Sequence, residues 1–440
     1  MTVAASSDPR LLLISFHFPP AETIGAFRVG PCRDYFIKSG WTVDVISKSP
    51  EPFPATRTSS ATAASGTDSP LPAEPGRSPT TAGRRRAGKT VGRITRRITG
   101  HLSRAFLPVI GPETPWLVRE ILRSLTRASP VPDLILVSGP PFSTFLLARL
   151  YSRKYMVPWI ADYRDLWTTG GYTAGNSRFR LRLEQWIELR LAKQFSAACT
   201  VSEPQATALG TGLGIRRIEV VRNGIDDQRP ATVTAIHDLA ADEEHSRLHV
   251  LYAGEIYHDR YDLSPLFQAL AALKRSGEGV TVEFRGSTVE PLREQAKYWG
   301  VSDCVLFGPR EPYACSVARQ RRADALLLVL GTGIEEEGVY SGKLFDYLNA
   351  RRPILMLGYD AGVAADLVRQ RRAGTVANSP QDIEAALHRW ANELMVAGHI
   401  PDLPPTVAQG LSRSEQFKIM EKLAREVAFG PVPSRTIIAR

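Results

Sequence analysis

The chain has 440 residues, which is too long for one ordinary hydrophobic core. Of these residues, 43% are hydrophobic and 23% are charged, a composition that excludes a wholly disordered protein. Its net charge of +10 is concentrated in one stretch, which argues against nucleic-acid binding over the whole surface. The N-terminus lacks the pattern of a secretory signal. No part of the sequence has an apolar run of the ~20 residues that are needed to cross a bilayer.

The first half alternates short apolar runs with helical stretches. The predicted strands are 11–16, 42–46, 133–137, 159–162, 197–201 and 218–221. The predicted helices between them include 26–38 and 142–154. Repeated strand–helix alternation with apolar strands favours a parallel sheet covered on both faces.

One segment of this half differs in composition. Residues 51–83 are rich in Ser, Thr, Ala and Pro, so we expect them to be disordered. They lead into 91–107, where apolar residues recur at helical spacing among arginines, and eight Arg or Lys without one acid lie between Arg84 and Arg104. This predicts a basic amphipathic helix that binds an anionic membrane surface. A helix packed on its own domain is the alternative, and a nucleic-acid arm is disfavoured because no aromatic residues interleave to stack bases.

The pattern restarts near residue 248, after a polar stretch at 226–246. The predicted strands are 249–253, 280–285, 304–307, 325–329, 354–357 and 374–376. The predicted helices are 263–275, 288–299, 316–322, 343–350 and 381–394. Two doubly wound domains therefore fit better than one large sheet.

Cysteines and histidines give no sign of a metal centre. The four cysteines show no C-x-x-C spacing and the eight histidines are scattered. We therefore expect reduced structural thiols, no metal and a cytoplasmic location.

The strongest motif follows the predicted strand 325–329. Ser341 and Gly342 are predicted to begin a helix, whose free N–H groups bind anions, and Lys343 adds a full charge there. Asp346, on nearly the same face, could accept hydrogen bonds from ribose hydroxyls. The motif is not a P-loop, because its glycine spacing is one short and Leu344 stands where Ser or Thr binds magnesium. Taken alone, an ordinary capped helix with an incidental lysine would explain it equally well.

Seven short motifs occur in a recognisable order along most of the chain, outside 51–90. They are SFHFPP at 15–20 with Gly25 and Arg28, DLILVSGPP at 133–141, DYRDLW at 162–167, VSE at 201–203, RNGID at 222–226, YAG at 252–254 and SGKLFD at 341–346. In this order the sequence resembles the retaining nucleotide-sugar glycosyltransferases of family 4.

This resemblance implies the GT-B fold, an α/β architecture in which two Rossmann-like doubly wound domains face a cleft. It implies an acceptor-binding domain at 1–225 with an insert at about 51–107, and a linker at 226–247. A nucleotide-sugar-binding domain would follow at 248–412, and the last helix, within 413–440, would return to the first domain.

The resemblance also assigns donor-binding residues. Gly25 matches the glycine loop near the donor phosphates, Lys343 and Arg260 match the basic pair on the pyrophosphate, and Asp346 matches the second acid of the E-x7-E pattern, which binds ribose. Ser341 and Gly342 would contribute the helix start.

Three positions depart from the family pattern. Glu255 replaces a basic residue, so Arg260 must act alone on that side. The first acid of E-x7-E falls on Gly338, one residue after Glu337. Arg164 replaces a histidine after the fourth strand. We take Arg164, Asp165 and Glu337 as candidate catalytic residues, with a purely structural role for Asp162 or Asp165 as the alternative.

The predicted function is metal-independent, retaining sugar transfer to a lipid-linked or polysaccharide acceptor, at the cytoplasmic face of the inner membrane. The partners would be a nucleotide-diphosphate sugar, which is a substrate and not a cofactor, a glycan or lipid-linked acceptor, and an anionic membrane surface, with no nucleic acid. An inert GT-B scaffold and a nucleotide-sugar epimerase are the alternatives. A dinucleotide oxidoreductase is disfavoured, because no G-x-G-x-x-G follows a predicted first strand.

Overall fold

The computed structural model describes residues 8–21, 23–48, 113–126, 130–170, 177–226, 247–256, 261–286 and 289–430. The predicted insert at 51–107 with its basic helix 91–107, Arg260 and the interior of the linker 226–247 lie outside these residues. In the described part of the chain, no helix is both long and apolar enough to span a bilayer.

The first half forms a six-stranded parallel sheet in the order β2-β1-β3-β4-β5-β6. Its strands are β1 (Arg10–Ser15), β2 (Thr42–Ile46), β3 (Leu134–Gly139), β4 (Trp159–Tyr163), β5 (Ala197–Thr200) and β6 (Ile218–Val220). Its helices are α1 (Ile24–Lys38), α2 (Thr114–Thr126), α3 (Ser143–Tyr155), α4 (Arg178–Ala192) and α5 (Glu203–Leu213). The strand order reverses between β1 and β3, and in such sheets ligands bind outside the carboxyl ends of the strands at this point.

The strands of this sheet are apolar because helices cover both faces. Every residue of β3 and β4 is buried, which gives the continuous apolar runs typical of parallel strands. On one face Leu13 packs with Phe36 of α1, and on the other Ile14 packs with Phe145 of α3.

The second half repeats the arrangement with the strand order β12-β11-β10-β7-β8-β9. Its strands are β7 (Leu248–Ala253), β8 (Val280–Arg285), β9 (Val305–Gly308), β10 (Ala325–Val329), β11 (Ile354–Leu357) and β12 (Gly374–Val376). Its helices are α6 (Ser264–Arg275), α7 (Val289–Tyr298), α8 (Tyr313–Arg322), α9 (Gly342–Ala350), α10 (Val363–Gln370) and α11 (Pro380–Ala397). Here the order reverses between β7 and β10, so the second switch point lies beside the start of α9. The predicted pair of doubly wound parallel units is confirmed.

The last helix, α12 (Arg413–Phe429), packs on the first sheet. It begins with a capping box, in which Ser412 accepts from the Glu415 N–H and the Glu415 side chain accepts from the Ser412 N–H. Phe417 and Met420 are buried in the same cluster as Leu11 and Phe36. The helix therefore crosses from the second unit to the first and fixes one to the other.

Candidate functional site

The candidate anion site lies at the second switch point, where α9 begins. Ser341 is the N-cap of α9 and makes no side-chain cap hydrogen bond, and Gly342 is the first helical residue. The Lys343 side chain lies over Gly254, at the end of β7: a Cβ at Gly254 would be 2.5 Å from Lys343 Cε. Gly254 also has φ of +126°, a conformation that favours glycine. Glycine is thus required at this position both for its backbone and for the path of Lys343.

The ammonium group of Lys343 is held by Tyr252. Lys343 Nζ donates to Tyr252 Oη at 2.6 Å and lies 4.3 Å from the centroid of that ring. Tyr252 Oη in turn donates to the Glu255 carbonyl at 2.7 Å. Burial lowers the pKa of Lys343 to about 8, and the charge of Glu255 acts in the opposite direction. A desolvated ammonium beside a helix N-terminus is well suited to bind a phosphate.

Asp346 lies one turn further along α9 and faces the first unit. Tyr313, the first residue of α8, donates its hydroxyl to Asp346 Oδ1 at 2.7 Å. Burial, followed by the charge of Asp346, raises the pKa of Tyr313. The Tyr313 ring also packs on Phe27 of α1, with 5.1 Å between the ring centroids. The predicted ribose carboxylate therefore lies at the cleft between the two units.

The turn after β10 buries a different acid from the one chosen by sequence. Glu336 is 4% exposed and lies against Gly331, where a Cβ would be 2.8 Å from Glu336 Oε1. The neighbouring candidate Glu337 is exposed. At the next residue, the Gly338 carbonyl accepts from Ser202 Oγ at 2.7 Å, a direct hydrogen bond between the two units.

Two candidates from the first half, Gly25 and Arg164, meet at the first switch point. Arg164 follows β4, and its guanidinium donates to the carbonyls of Gly139, at 3.2 Å, and Pro140. A Cβ on Gly25 would overlap this guanidinium. Because Gly25 follows β1 and Gly139 ends β3, a buried cation covers the carboxyl ends of β1, β3 and β4. Asp165, the next residue, is exposed.

Asp162 has a structural role. It is 3% exposed, and its two oxygens accept from Arg28 Nη2 at 2.8 Å and Nε at 3.1 Å. Ser138 Oγ donates to the same carboxylate at 2.8 Å. Arg28 also donates to the carbonyls of Val221 and Arg222, at 2.9 and 3.0 Å. The pair joins α1, β3, β4 and the segment after β6.

His17 is a feature of this region that the sequence did not single out. It is half-buried, and burial, followed by the charges of Arg164 and Lys48, lowers its pKa. The imidazole is therefore neutral at physiological pH and can accept a proton or a hydrogen bond. Its place in the SFHFPP motif was the available signal.

The candidates thus form two groups at the two switch points. Gly25, Arg164 and Asp165 belong to the first, and Ser341, Gly342, Lys343 and Asp346 to the second, with Glu337 in the turn after β10. Arg260 falls in a part of the chain outside the description. Within the described ranges, no group of three or more His, Cys, Asp or Glu side chains could hold a metal ion.

One family model matches part of the chain. Residues 35–224 match the family described as "Glycosyl transferase 4-like domain". No curated protein is a significant match to the sequence. For residues 35–224, this match confirms the resemblance to family 4 glycosyltransferases inferred from the motifs.

Solved structures extend the likeness over both units. HepE of Anabaena, in complex with UDP and glucose, has a TM-score of 0.56 at 12% identity, covering 96% of this chain and 99% of that one. The lipopolysaccharide outer core galactosyltransferase WaaB has 0.52 at 10%, covering 96% and 100%. A protein of Listeria monocytogenes, provisionally named a UDP-N-acetylglucosamine 2-epimerase, has 0.54 at 10%, covering 95% and 96%. The fold is GT-B.

Proposed function

Because residues 35–224 match a glycosyltransferase family and the whole fold is GT-B, we propose that the chain is a retaining glycosyltransferase. It moves a sugar from a nucleotide-diphosphate donor to a lipid-linked or polysaccharide acceptor at the cytoplasmic membrane face. The observation that carries this proposal is the half-buried Lys343, held over Gly254 at the start of α9. A cation beside unsatisfied helix N–H groups at a switch point suits a diphosphate.

The donor half supplies what the leaving group needs. Breaking the bond from the anomeric carbon to the diphosphate builds negative charge on the phosphates, so fixed positive charge and N–H donors lower the barrier. Lys343, Arg260 and the N-terminus of α9, with Ser341 and Gly342, fill this role without a metal. Asp346, one turn further along the same helix, accepts hydrogen bonds from the ribose hydroxyls.

The acceptor half supplies the facing groups. Gly25 makes room for the Arg164 guanidinium, because a Cβ there would overlap it, and we assign this cation to a phosphate or to the acceptor. Asp165 and Glu337 are both exposed, and we assign them to the acceptor and to the transferred sugar respectively. Closure of the cleft would exclude water and limit hydrolysis of the donor.

Two observations support an acceptor at a membrane. The sequence predicts a basic amphipathic helix at 91–107, in the acceptor half. One structural neighbour of the same fold is described as a lipopolysaccharide outer core galactosyltransferase. We therefore place the protein in the cytoplasm, peripheral on the inner membrane face.

Saturation-transfer NMR with a panel of sugar nucleotides, followed by analysis of the product, tests the function. We expect one nucleotide sugar to bind, and the glycoside formed with its acceptor to keep the anomeric configuration of the donor. Binding without turnover over a broad acceptor panel would favour the inert scaffold. Inversion at the anomeric carbon would overturn the retaining assignment.

A nucleotide-sugar epimerase is the second candidate, favoured by the likeness to the Listeria protein. The same diphosphate site would serve it, but it would need no acceptor. Incubation of the identified donor alone separates the two: an epimerase converts it to a second sugar nucleotide, whereas a transferase leaves it intact or hydrolyses it slowly.

A further inference from the structure

Three helices of the first unit lie side by side on one face of its sheet. Helix α2 packs against α3, and α3 against α4. Lys154 of α3 donates to the Ser124 carbonyl of α2 at 2.6 Å. At the other junction, Arg149 Nε of α3 donates to Oε1 of Gln194, two residues after α4, at 2.6 Å. The outer sides of these helices form one continuous surface, which we call the α2–α4 face.

Large apolar side chains are exposed along this face. On α4, Phe179, Trp186 and Leu189 are 67%, 52% and 39% exposed, and their spacing of seven and three residues places them on one side of the helix. On α2, Val118, Leu122 and Leu125 follow the same rule. Single exposed apolar residues are ordinary on protein surfaces, but apolar rows on two helices of the same face, α2 and α4, indicate a binding surface.

The charges on the face all have one sign. The exposed cations are Arg178, Arg182 and Arg190 of α4, Lys193 directly after α4, and Arg153 and Lys154 of α3. The acids of the three helices, Glu120, Glu184 and Glu188, are all buried. In α2, Arg119 and Arg123 pair with Glu120.

On α4 the cations and the apolar residues are interleaved. The Arg190 guanidinium lies over the Trp186 ring, 4.4 Å from its centroid, so a cation and an aromatic ring are in direct contact on the surface. In a bilayer, the headgroup phosphates lie next to the acyl boundary, so neighbouring cations and apolar side chains can contact both layers at once. Tryptophan also favours this interfacial depth.

We infer that the α2–α4 face binds the surface of an anionic lipid bilayer. A second copy of the same face would meet cation with cation. The stretch from Arg84 to Arg104, with eight cations and no acid, would be repelled for the same reason. The face does not depend on the donor site, and it gives the proposed membrane location a second contact beside the predicted helix 91–107.

Tryptophan fluorescence of the full chain provides a site-specific test. Of the seven tryptophans, Trp41, Trp116, Trp159, Trp167 and Trp390 are buried and Trp299 is half-buried, so Trp186 should dominate any change on lipid binding. With phosphatidylglycerol vesicles we expect a blue shift and quenching by brominated acyl chains, both lost in Trp186→Phe although this variant still sediments with the vesicles. Phosphatidylcholine vesicles should give neither signal. Sedimentation of the parent without a change in its emission would mean that 91–107 binds alone, and would overturn the inference.

Charge reversal tests the same face by affinity. The double variant R182E/R190E should partition onto phosphatidylglycerol vesicles at least about tenfold more weakly, an effect that high salt should mask. The matched control R321E/R322E reverses two exposed arginines of α8, in the second unit, and should partition as the parent does. Equal partitioning of R182E/R190E and the parent would refute the lipid assignment. Nucleotide binding, measured in parallel, shows that the variants are folded, and its failure in the parent would count against the proposed function alone.

Discussion

Lys343 is the residue at which stability and ligand binding are most clearly opposed. Its ammonium is half-buried beside a tyrosine ring, and burial lowers its pKa to about 8, so the folded protein alone gains little from this charge. A diphosphate would reverse that balance by supplying the missing anion. We therefore propose that Lys343 serves a ligand more than the fold.

Replacing Lys343 tests this directly. Lys343→Met keeps most of the side-chain volume and removes a charge-assisted contact, typically ~1.5–3 kcal/mol, so nucleoside diphosphate binding should weaken at least about tenfold. Isothermal titration calorimetry measures it, with Lys418→Met, an exposed lysine of α12, as the control. Unchanged affinity in Lys343→Met would exclude the pyrophosphate assignment.

The same pKa sets the pH dependence of binding. Below about 8 Lys343 carries its proton and attracts the diphosphate; above it the neutral amine does not. The affinity should therefore fall as the pH rises from about 7 to 9, a range in which the diphosphate, with a last pKa near 6, keeps its charge. Lys343→Met should abolish this dependence, and a parent affinity that is flat over the range would contradict it.

At the scale of elements, α12 holds the two units together through buried aromatic and aliphatic side chains. Phe417 is 1% exposed in the core of the first unit, so Phe417→Ala should cost about 3–5 kcal/mol of unfolding free energy. Urea denaturation measures the loss. Ile419→Ala, on the solvent side of the same helix at 36% exposure, should cost much less. A loss in Phe417→Ala as small as the loss in Ile419→Ala would show that the contact of α12 with the first sheet is weak.

Most elements could be predicted because their sequences obey one clear pattern. Strands β2, β8, β10, β11 and β12 have the predicted limits, and β10 and β11 are clear because each is a short apolar run bounded by polar residues or turns. No limits were predicted for helices α2 (Thr114–Thr126), α4 (Arg178–Ala192), α5 and α10. In α4, the exposed Phe179 and Trp186 place apolar side chains on the solvent side as well as the core side, so the helical period is obscured.

The site could be predicted only where it is local in sequence. The helix start at Ser341–Gly342 and the charge of Lys343 lie in one short motif. The position of Gly254 under Lys343, the Arg164 guanidinium beside Gly25 and the Tyr313–Asp346 hydrogen bond depend on strand order, which a single sequence does not specify. In the turn after β10, a one-residue difference decides that Glu336 is buried and Glu337 exposed.

For the whole molecule, the limits of the two domains stay a proposal. The strands of the first sheet end at Val220 and those of the second begin at Leu248, which is compatible with a linker at 226–247. The return of α12 to the first sheet means that neither half of the chain, cut at this linker, would contain all its own packing.

Metal independence is a proposal that concerns the complete protein. The proposed leaving-group site uses Lys343, Arg260 and a helix N-terminus, and the sequence has no D-x-D pattern. Turnover of the identified donor should therefore persist in excess EDTA, measured as release of nucleoside diphosphate. Activity that is lost with the chelator and restored by magnesium or manganese would refute the mechanism.

The hydroxyl of Tyr313 and the ribose of the proposed nucleotide would compete for the same carboxylate, that of Asp346. Ribose hydroxyls that approach Asp346 meet an oxygen already engaged at 2.7 Å by a side chain whose ring packs on Phe27, across the cleft. We therefore propose that occupancy of the donor site and the resting arrangement of the two units are thermodynamically linked, and such a linkage acts equally in both directions. Tyr313→Phe removes the competing donor, so it should bind nucleoside diphosphate several-fold more tightly in calorimetry, whereas weaker binding would show that Tyr313 assists the ligand. In such a protein, nucleotide binding to the second unit would change the contact of that unit with the first.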